Sequence, residues 1–275
     1  MKQLLEKLAA EPTFDQMREW RVVPLHGDTV IRLSQDGSDY VAKLAKPNEV
    51  EAHRKLLRLN LRHVATSVFP ALLDTGVLVT RYVHGGPIRD PRLEPALVRE
   101  MAQVQNALVP ERLPSDAERV SWQDYVLNAM ETGRLKLAQL RPSAPVDALT
   151  ALVRTTSPAW RSMASDYASM PFGWLHYDFN ESNILGGPPQ TVIDWGSSHG
   201  SGPFLHDMAR FCLVDDETLF TFRETSDLCR KPELGEVRRW LQVAAFANLA
   251  TTLRHLEVYE KDLNRIVPFY QSVLG

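Results

Sequence analysis

Asp178, Asn183 and Asp194 are the side chains of this sequence whose types and order suit a chemical step. Phosphoryl transfer needs a carboxylate that positions the acceptor oxygen in line with a γ-phosphate, and oxygen ligands for a metal that offsets phosphate charge. Asp178 supplies the carboxylate, and Asn183 and Asp194 supply the oxygens for Mg²⁺. Between the last two, Ile184-Leu185 and Val192-Ile193 are short apolar runs separated by Gly186-Gly187-Pro188-Pro189, which reads as a hairpin turn. In an antiparallel pair the start of one strand lies beside the end of the other, so Asn183 and Asp194 converge. Asp178 precedes them in an irregular loop that faces the acceptor. Asp and Asn are also ordinary turn formers. Their order around a hairpin, with a strand lysine and a helix glutamate upstream, favours a site.

His176-x-Asp178 with Asn183, followed by Asp194-Trp195-Gly196, resembles the catalytic and metal-binding loops of the aminoglycoside phosphotransferase and choline kinase family. These are small-molecule kinases similar in fold to protein kinases. The resemblance implies an α+β, two-lobed fold: a small antiparallel-sheet N-lobe over 1–83 and a larger, mainly helical C-lobe over 84–275. It also implies ATP and Mg²⁺ as cofactors and a small-molecule hydroxyl as acceptor. Protein kinases carry H-R-D and D-F-G at the corresponding places. Here Tyr177 stands for the Arg and Trp195 for the Phe. The missing Arg removes the usual partner of a phosphorylated activation loop, and only a short stretch separates Asp194 from Gly202-Pro203-Phe204. A small-molecule kinase is therefore favoured over a protein kinase. In the family resembled, the counterpart of His176 braces the loop by hydrogen bonds and that of Asp207 caps or braces the following helix, so both are expected to be structural.

Such a site needs a cation for the α/β-phosphates on a rigid strand, held by a helix carboxylate. The run Tyr40-Val41-Ala42-Lys43-Leu44 fits the strand, and with 29–33 and a turn at Asp36-Gly37-Ser38 it forms a hairpin. By period two, Val41 and Lys43 share a face. A helix follows over 47–57, with Val50, His53, Leu56 and Leu57 at helical spacing and Asn48 as cap. Helix phase alone leaves Glu49 and Glu51 open. The likeness of Val50-Glu51-Ala52 to the family's helix start points to Glu51 as the partner of Lys43. The phosphate-covering loop is placed at 25–29, with Gly27 and Thr29 offering backbone N–H groups and a hydroxyl. Residues 68–73 and 77–83 read as a further hairpin, with Thr80 and Tyr82 where its backbone would meet adenine. Periodicity breaks at Val83-His84-Gly85-Gly86-Pro87, which marks the lobe boundary.

The chain has 275 residues and a net charge of −3, with no overall basic field to attract nucleic acid or an anionic membrane. Charges within residues 1–11 argue against a signal peptide, and no run is long and uncharged enough to span a bilayer, so the cytoplasm is expected. Cys212 and Cys229 are then reduced and hold no metal. Helices are expected over 95–108, with a stripe of Leu97, Met101, Val104 and Leu108, and over 120–140 and 149–163, which would wall the acceptor side. An aminoglycoside would want carboxylates such as Asp215, Asp216, Glu217, Glu257, Glu260 or Asp262. A quaternary amine would want an aromatic cage drawn from Trp122, Tyr125, Trp160, Trp240, Tyr259, Phe269 or Tyr270. A solvated face and a packed core account for these groups equally well, so aminoglycoside-, amino-alcohol- and sugar-like acceptors all remain. The reading from another class is a nucleotide-binding regulator of the same fold that transfers nothing; the full set of Lys43, Asp178, Asn183 and Asp194 argues against it.

Overall fold

The computed structural model describes all residues except 11, 15–19, 28, 36, 91, 109–112, 210–214 and 229–232. Cys212, Cys229 and the turn residue Asp36 lie outside the described residues. Packing gathers the chain into two compact units, one of Met1–Ala107 with His176–His199 and the other of Leu108–Leu175 with Gly200–Gly275.

The first unit is built on a four-stranded antiparallel sheet in sequence order: β1 (Arg21–His26), β2 (Val30–Gln35), β3 (Ser38–Leu44) and β4 (Val77–Arg81). Alternation sorts its side chains. Ile31, Leu33, Ala42, Val77 and Val79 point to one face and pack with Leu4 and Leu8 of the amphipathic helix α1 (Lys2–Ala9), and with Phe14 and Leu72. Each fully buried leucine contributes about 1.5–3 kcal/mol. The register pairs Val30 with Lys43 and Lys43 with Leu78, and Val41 with Thr80, so these residues share the opposite face. A slip of one residue would bury Lys43 in the α1 core, which pins the register.

Helix α2 (Pro47–Leu56) starts with proline in its first turn, where the missing N–H is no loss, after an extended Lys46 as N-cap. Asn48, expected as the cap, instead lies inside the helix and donates from Nδ2 to the Gly196 carbonyl at 2.5 Å. The strand expected over 68–73 forms only at its start. Val68 N–H donates to Val79 O at 2.8 Å and Ser67 bridges Thr80, but Pro70–Thr75 is a 3₁₀ helix. Pro70 has no N–H for a ladder and fixes a helical φ, while Gly76 at φ 74° turns the chain into β4. Helix α3 (Pro95–Ala107) buries Leu97, Met101 and Val104 of the expected stripe, while Leu108 lies past the helix end and is half-buried.

The second unit is mostly helical. Helix α4 (Asp116–Leu137) opens with a capping box between Ser115 and Glu118. The single helix expected over 149–163 is two, α5 (Ala144–Thr156) and α6 (Trp160–Ser169), separated by a 3₁₀ turn at Ser157–Ala159 where Pro158 interrupts the hydrogen-bond ladder. Strand β5 (Phe172–Leu175) pairs with His199–Pro203. Helices α7 (Asp216–Thr225), α8 (Leu234–Arg254), α9 (Leu256–Tyr259) and α10 (Leu263–Leu274) complete it. Asp215 caps α7, its carboxylate accepting from Thr218 N–H at 2.6 Å. Among the described residues no helix is long and apolar enough to cross a membrane.

Candidate active site

The loop that follows β5 is organised by a histidine. His176 is fully buried, and its Nε2 lies 2.9 Å from the Ile193 carbonyl, which only accepts, so Nε2 carries the proton. Its Nδ1 then accepts from Asp178 N–H at 3.3 Å. Burial pushes the His176 pKa down against the opposing pull of the Ile193 carbonyl, Asp178 and Asp194, which keeps the ring neutral. The imidazole thus ties the loop to the strand before Asp194. Tyr177 takes a left-handed φ of 65°, a rare conformation for an aromatic residue, and reverses the chain so that Asp178 stands exposed.

The Asp178 carboxylate is fixed on both oxygens. Asn180 Nδ2 donates to Oδ1 at 2.6 Å and Asn183 Nδ2 to Oδ2 at 2.9 Å. Asn180 caps the short turn Glu181–Asn183, its Oδ1 accepting from Ser182 N–H at 2.8 Å. The expected hairpin follows as β6 (Ile184–Leu185) and β7 (Thr191–Val192), with Ile184 opposite Val192. Ile193 N–H donates to Asn183 O at 2.9 Å, so Asn183 meets the residue before Asp194. Segments 84–88 and 184–187 approach closely beside it. A Cβ on Gly187 would lie 2.5 Å from the His84 carbonyl, so only glycine fits there.

Lys43 joins this loop to the sheet. Its Nζ lies 2.6 Å from Glu49 Oε1 and 2.9 Å from Asp194 Oδ1. The helix partner of Lys43 is therefore Glu49, which corrects the expectation of Glu51. Helix phase gives the reason: Glu49 and His53, four apart, share the inward face of α2, whereas Glu51 points outward and pairs with Lys55 at 3.5 Å. Burial pulls the Lys43 pKa down, but Glu49 and Asp194 outweigh it and hold the ammonium above its ordinary value. Burial raises the Glu49 carboxyl, only partly opposed by Lys43. Desolvation alone would raise Asp194 too, yet the hydrogen bond and charge of Lys43 leave it below the usual carboxylate range. Asp194 itself sits at φ 60°, and Trp195 beyond it is fully buried against His176, ring centroids 4.5 Å apart.

A cleft of about 530 Å³ opens over the sheet face that carries Lys43. Val30, Val41 and Leu78 wall it from the sheet and Leu185 and Ile193 from the hairpin, with Lys43, Glu49 and Asp194 at one end. Thr80 and Tyr82 also line it. The Tyr82 N–H, however, is occupied by the Asp39 carbonyl at 2.9 Å. Gly27, at φ 52°, and Thr29 stand exposed at the tip of the β1–β2 turn, and the cleft edge there is formed by Leu25, His26 and Val30. To the expected residues the structure adds Glu49, which helix phase leaves open beside Glu51, together with Asn48, Asn180 and His53; the sequence signal for Glu49 and His53 is their shared α2 face, whereas Asn48 and Asn180 read as an ordinary cap and loop former.

The oxygen atoms of Asn183 and Asp194 suit Mg²⁺. Asn183 spends its amide nitrogen on Asp178, which turns its amide oxygen away, and Asp194 is half exposed beyond its contact with Lys43. Those are two hard oxygen donors, the number expected where phosphates and water complete an octahedron. Among the described residues no group of three or more His, Cys, Asp or Glu is placed to hold a metal by itself.

The sequence model of the phosphotransferase enzyme family matches residues 17–248. The chain belongs to that family. This phosphotransferase is similar in structure to the AMP-bound spectinomycin phosphotransferase APH(9)-Ia, at 13% identity and a TM-score of 0.58 over 99% of this chain and 93% of the other. It is also similar to a choline/ethanolamine kinase family protein from Mesorhizobium loti, at 18% identity and a TM-score of 0.54 over 99% and 92% of the two chains. An aminoglycoside phosphotransferase from Alicyclobacillus acidocaldarius gives 16% identity and a TM-score of 0.51 over 94% and 95%. At such identities the likeness speaks to fold, which is the protein-kinase-like α+β fold expected from the sequence. Among curated proteins no relative matches the chain.

Proposed function

We propose that this phosphotransferase uses ATP and Mg²⁺ to phosphorylate a hydroxyl group of a small molecule, aminoglycoside-, amino-alcohol- or sugar-like, in the cytoplasm and without nucleic-acid or membrane partners. The observation that supports the reading is the pair of bonded chains Glu49–Lys43–Asp194 and His176–Ile193–Asn183–Asp178, adjoining at Ile193–Asp194, with Lys43, Glu49 and Asp194 lining the cleft and Asp178 exposed.

In this reading Asp178, held by the Asn180 and Asn183 amides, accepts or orients the proton of the acceptor hydroxyl. Asn183 and Asp194 would hold Mg²⁺, which when bound offsets the charge of the phosphates. Lys43, fixed by Glu49, binds the α/β-phosphates, and Thr80 and Tyr82 flank the base. Gly27 and Thr29 keep the role of a phosphate-covering turn by position. The division into a nucleotide lobe, 1–83, and a catalytic and acceptor lobe, 84–275, belongs to the same proposal.

The test is ADP release from Mg·ATP against a panel of aminoglycosides, amino alcohols, sugars and a generic protein substrate. Asp178→Asn should lower acceptor-dependent turnover by about 10²–10⁴-fold with nucleotide binding kept. Near-normal turnover in that variant would remove Asp178 from the reaction.

A further inference from the structure

The inner wall of the cleft holds a polar group that the proposed reaction leaves unused. His53 lies one helical turn beyond Glu49 on the inward face of α2, is 1% exposed and lines the cleft with Glu49, Leu78 and Thr80. Among the described residues neither of its ring nitrogens has a hydrogen-bond partner. Burial, with the nearby charge of Lys43, pushes its pKa down to about 3, so the ring is neutral and presents one donor and one acceptor.

A core position has no use for such a group. Leucine would fill similar space on a helix whose neighbouring buried positions are Val50, Ala52 and Leu56, and would leave no polar atom unsatisfied. Buried polar atoms without partners are few in folded proteins, and each one is a cost to the state in which it is seen. His176, equally buried in the same unit, satisfies both of its ring nitrogens, so the fold is able to pair an imidazole where it needs one only as a brace.

We propose that His53 determines which ligands fill the cleft: its ring nitrogens pair with hydrogen-bonding atoms of the occupant, a nucleotide base or a heteroaromatic ring of similar edge chemistry. Thr80, whose side chain lies on the same sheet face as Lys43, adds a hydroxyl to this inner wall. The inference rests on the reading of the cleft as the nucleotide site and extends it to the residue that reads the occupant. The His53 side chain is among those that line the cleft, so a turn of the ring about its outer torsion is the movement this pairing would need.

The experiment compares wild type, His53→Leu and His53→Gln for thermal unfolding without ligand and for Mg·ATP and adenosine binding by calorimetry. The expected result for His53→Leu is opposite movement of two readouts: a melting temperature at least as high as wild type's, because an unsatisfied polar group is gone, and binding weaker by about three- to tenfold, the worth of one hydrogen bond. His53→Gln, which keeps a donor and an acceptor, should restore part of that binding. Unchanged affinity in His53→Leu overturns the inference while leaving the nucleotide site standing. So does a lower melting temperature with unchanged affinity in both variants, the pattern of a histidine that is paired through buried water. Failure of wild type to bind Mg·ATP at all would instead overturn the functional reading, and this inference with it.

Discussion

The exchange of Glu51 for Glu49 as the partner of Lys43 gives the sharpest prediction. Glu49 is 3% exposed and meets Lys43 at 2.6 Å, whereas Glu51 has a side chain 55% exposed and meets Lys55 at 3.5 Å. Removing one member of a buried pair costs about 3–5 kcal/mol when the other is left alone in the interior. Lys43 would not be alone: it keeps Asp194 at 2.9 Å and a fifth of its side-chain surface, so about 2 kcal/mol is the expected loss for Glu49→Gln. Expressed at the transition state, that is about 30-fold in kcat/KM for the nucleotide. Glu51→Gln removes an exposed i,i+4 pair worth about 0.3–0.5 kcal/mol and should change the rate by about twofold at most. The assay is the initial rate of acceptor-dependent ADP release across nucleotide concentrations for wild type and both variants, with circular dichroism as a check on folding. Equal losses in the two variants, or a larger loss in Glu51→Gln, would refute the assignment drawn from the structure.

Packing and protonation supply two more predictions in the helical unit. Gly133→Ala should destabilise the protein by about 1–2 kcal/mol in urea titration. The new Cβ would meet Leu253 Cβ at 2.3 Å and its backbone at 3.1–3.2 Å, and overpacking of this kind exceeds the helix-propensity gain of about 1 kcal/mol; a stabilised variant would mean that α4 and α8 do not cross there. His206 is half-buried, its Nδ1 2.9 Å from the Tyr167 hydroxyl, and desolvation pushes its pKa down to about 4. Between that value and the unfolded pKa of about 6.5 the unfolded chain binds more protons, so stability should fall as pH drops through this window, by about 2 kcal/mol at pH 5 relative to pH 7. His206→Gln should show a shallower pH dependence of the unfolding free energy than wild type over the same range, and an unchanged slope would remove His206 as its source.

What the sequence made legible follows physical range. The hairpin between Asn183 and Asp194 could be read because its turn residues and apolar runs are local, and the face shared by Val41 and Lys43 could be read because period two is a backbone property. The strand expected over 68–73 failed because its apolar run also suits a buried 3₁₀ turn, and Pro70 decides between them. The choice of Glu49 over Glu51 turns on which α2 face looks inward, and that is set by packing of Val50 and Leu56 and by the Asn48 bond to Gly196, a contact 148 positions away in the chain. Asn180 escaped notice for a related reason: as an isolated residue it is an ordinary loop former, and only the folded loop turns its amide onto the Asp178 carboxylate.

The two bonds of Lys43 are unequal, and the inequality bears on how the proposed site would work. Releasing Glu49 would strand a carboxylate that is 3% exposed, whereas releasing Asp194 leaves one that is half in water. The inner bond is therefore the fixed one and the outer bond the exchangeable one. Lys43, Glu49 and Asp194 together carry a net charge of −1, with the excess on the half-exposed Asp194, where a divalent cation accompanying a nucleotide would meet it. In the proposed reaction Lys43 would keep Glu49 and turn its remaining N–H donors to the phosphates, so that the arriving charges would replace the Lys43–Asp194 contact without stranding a buried ion.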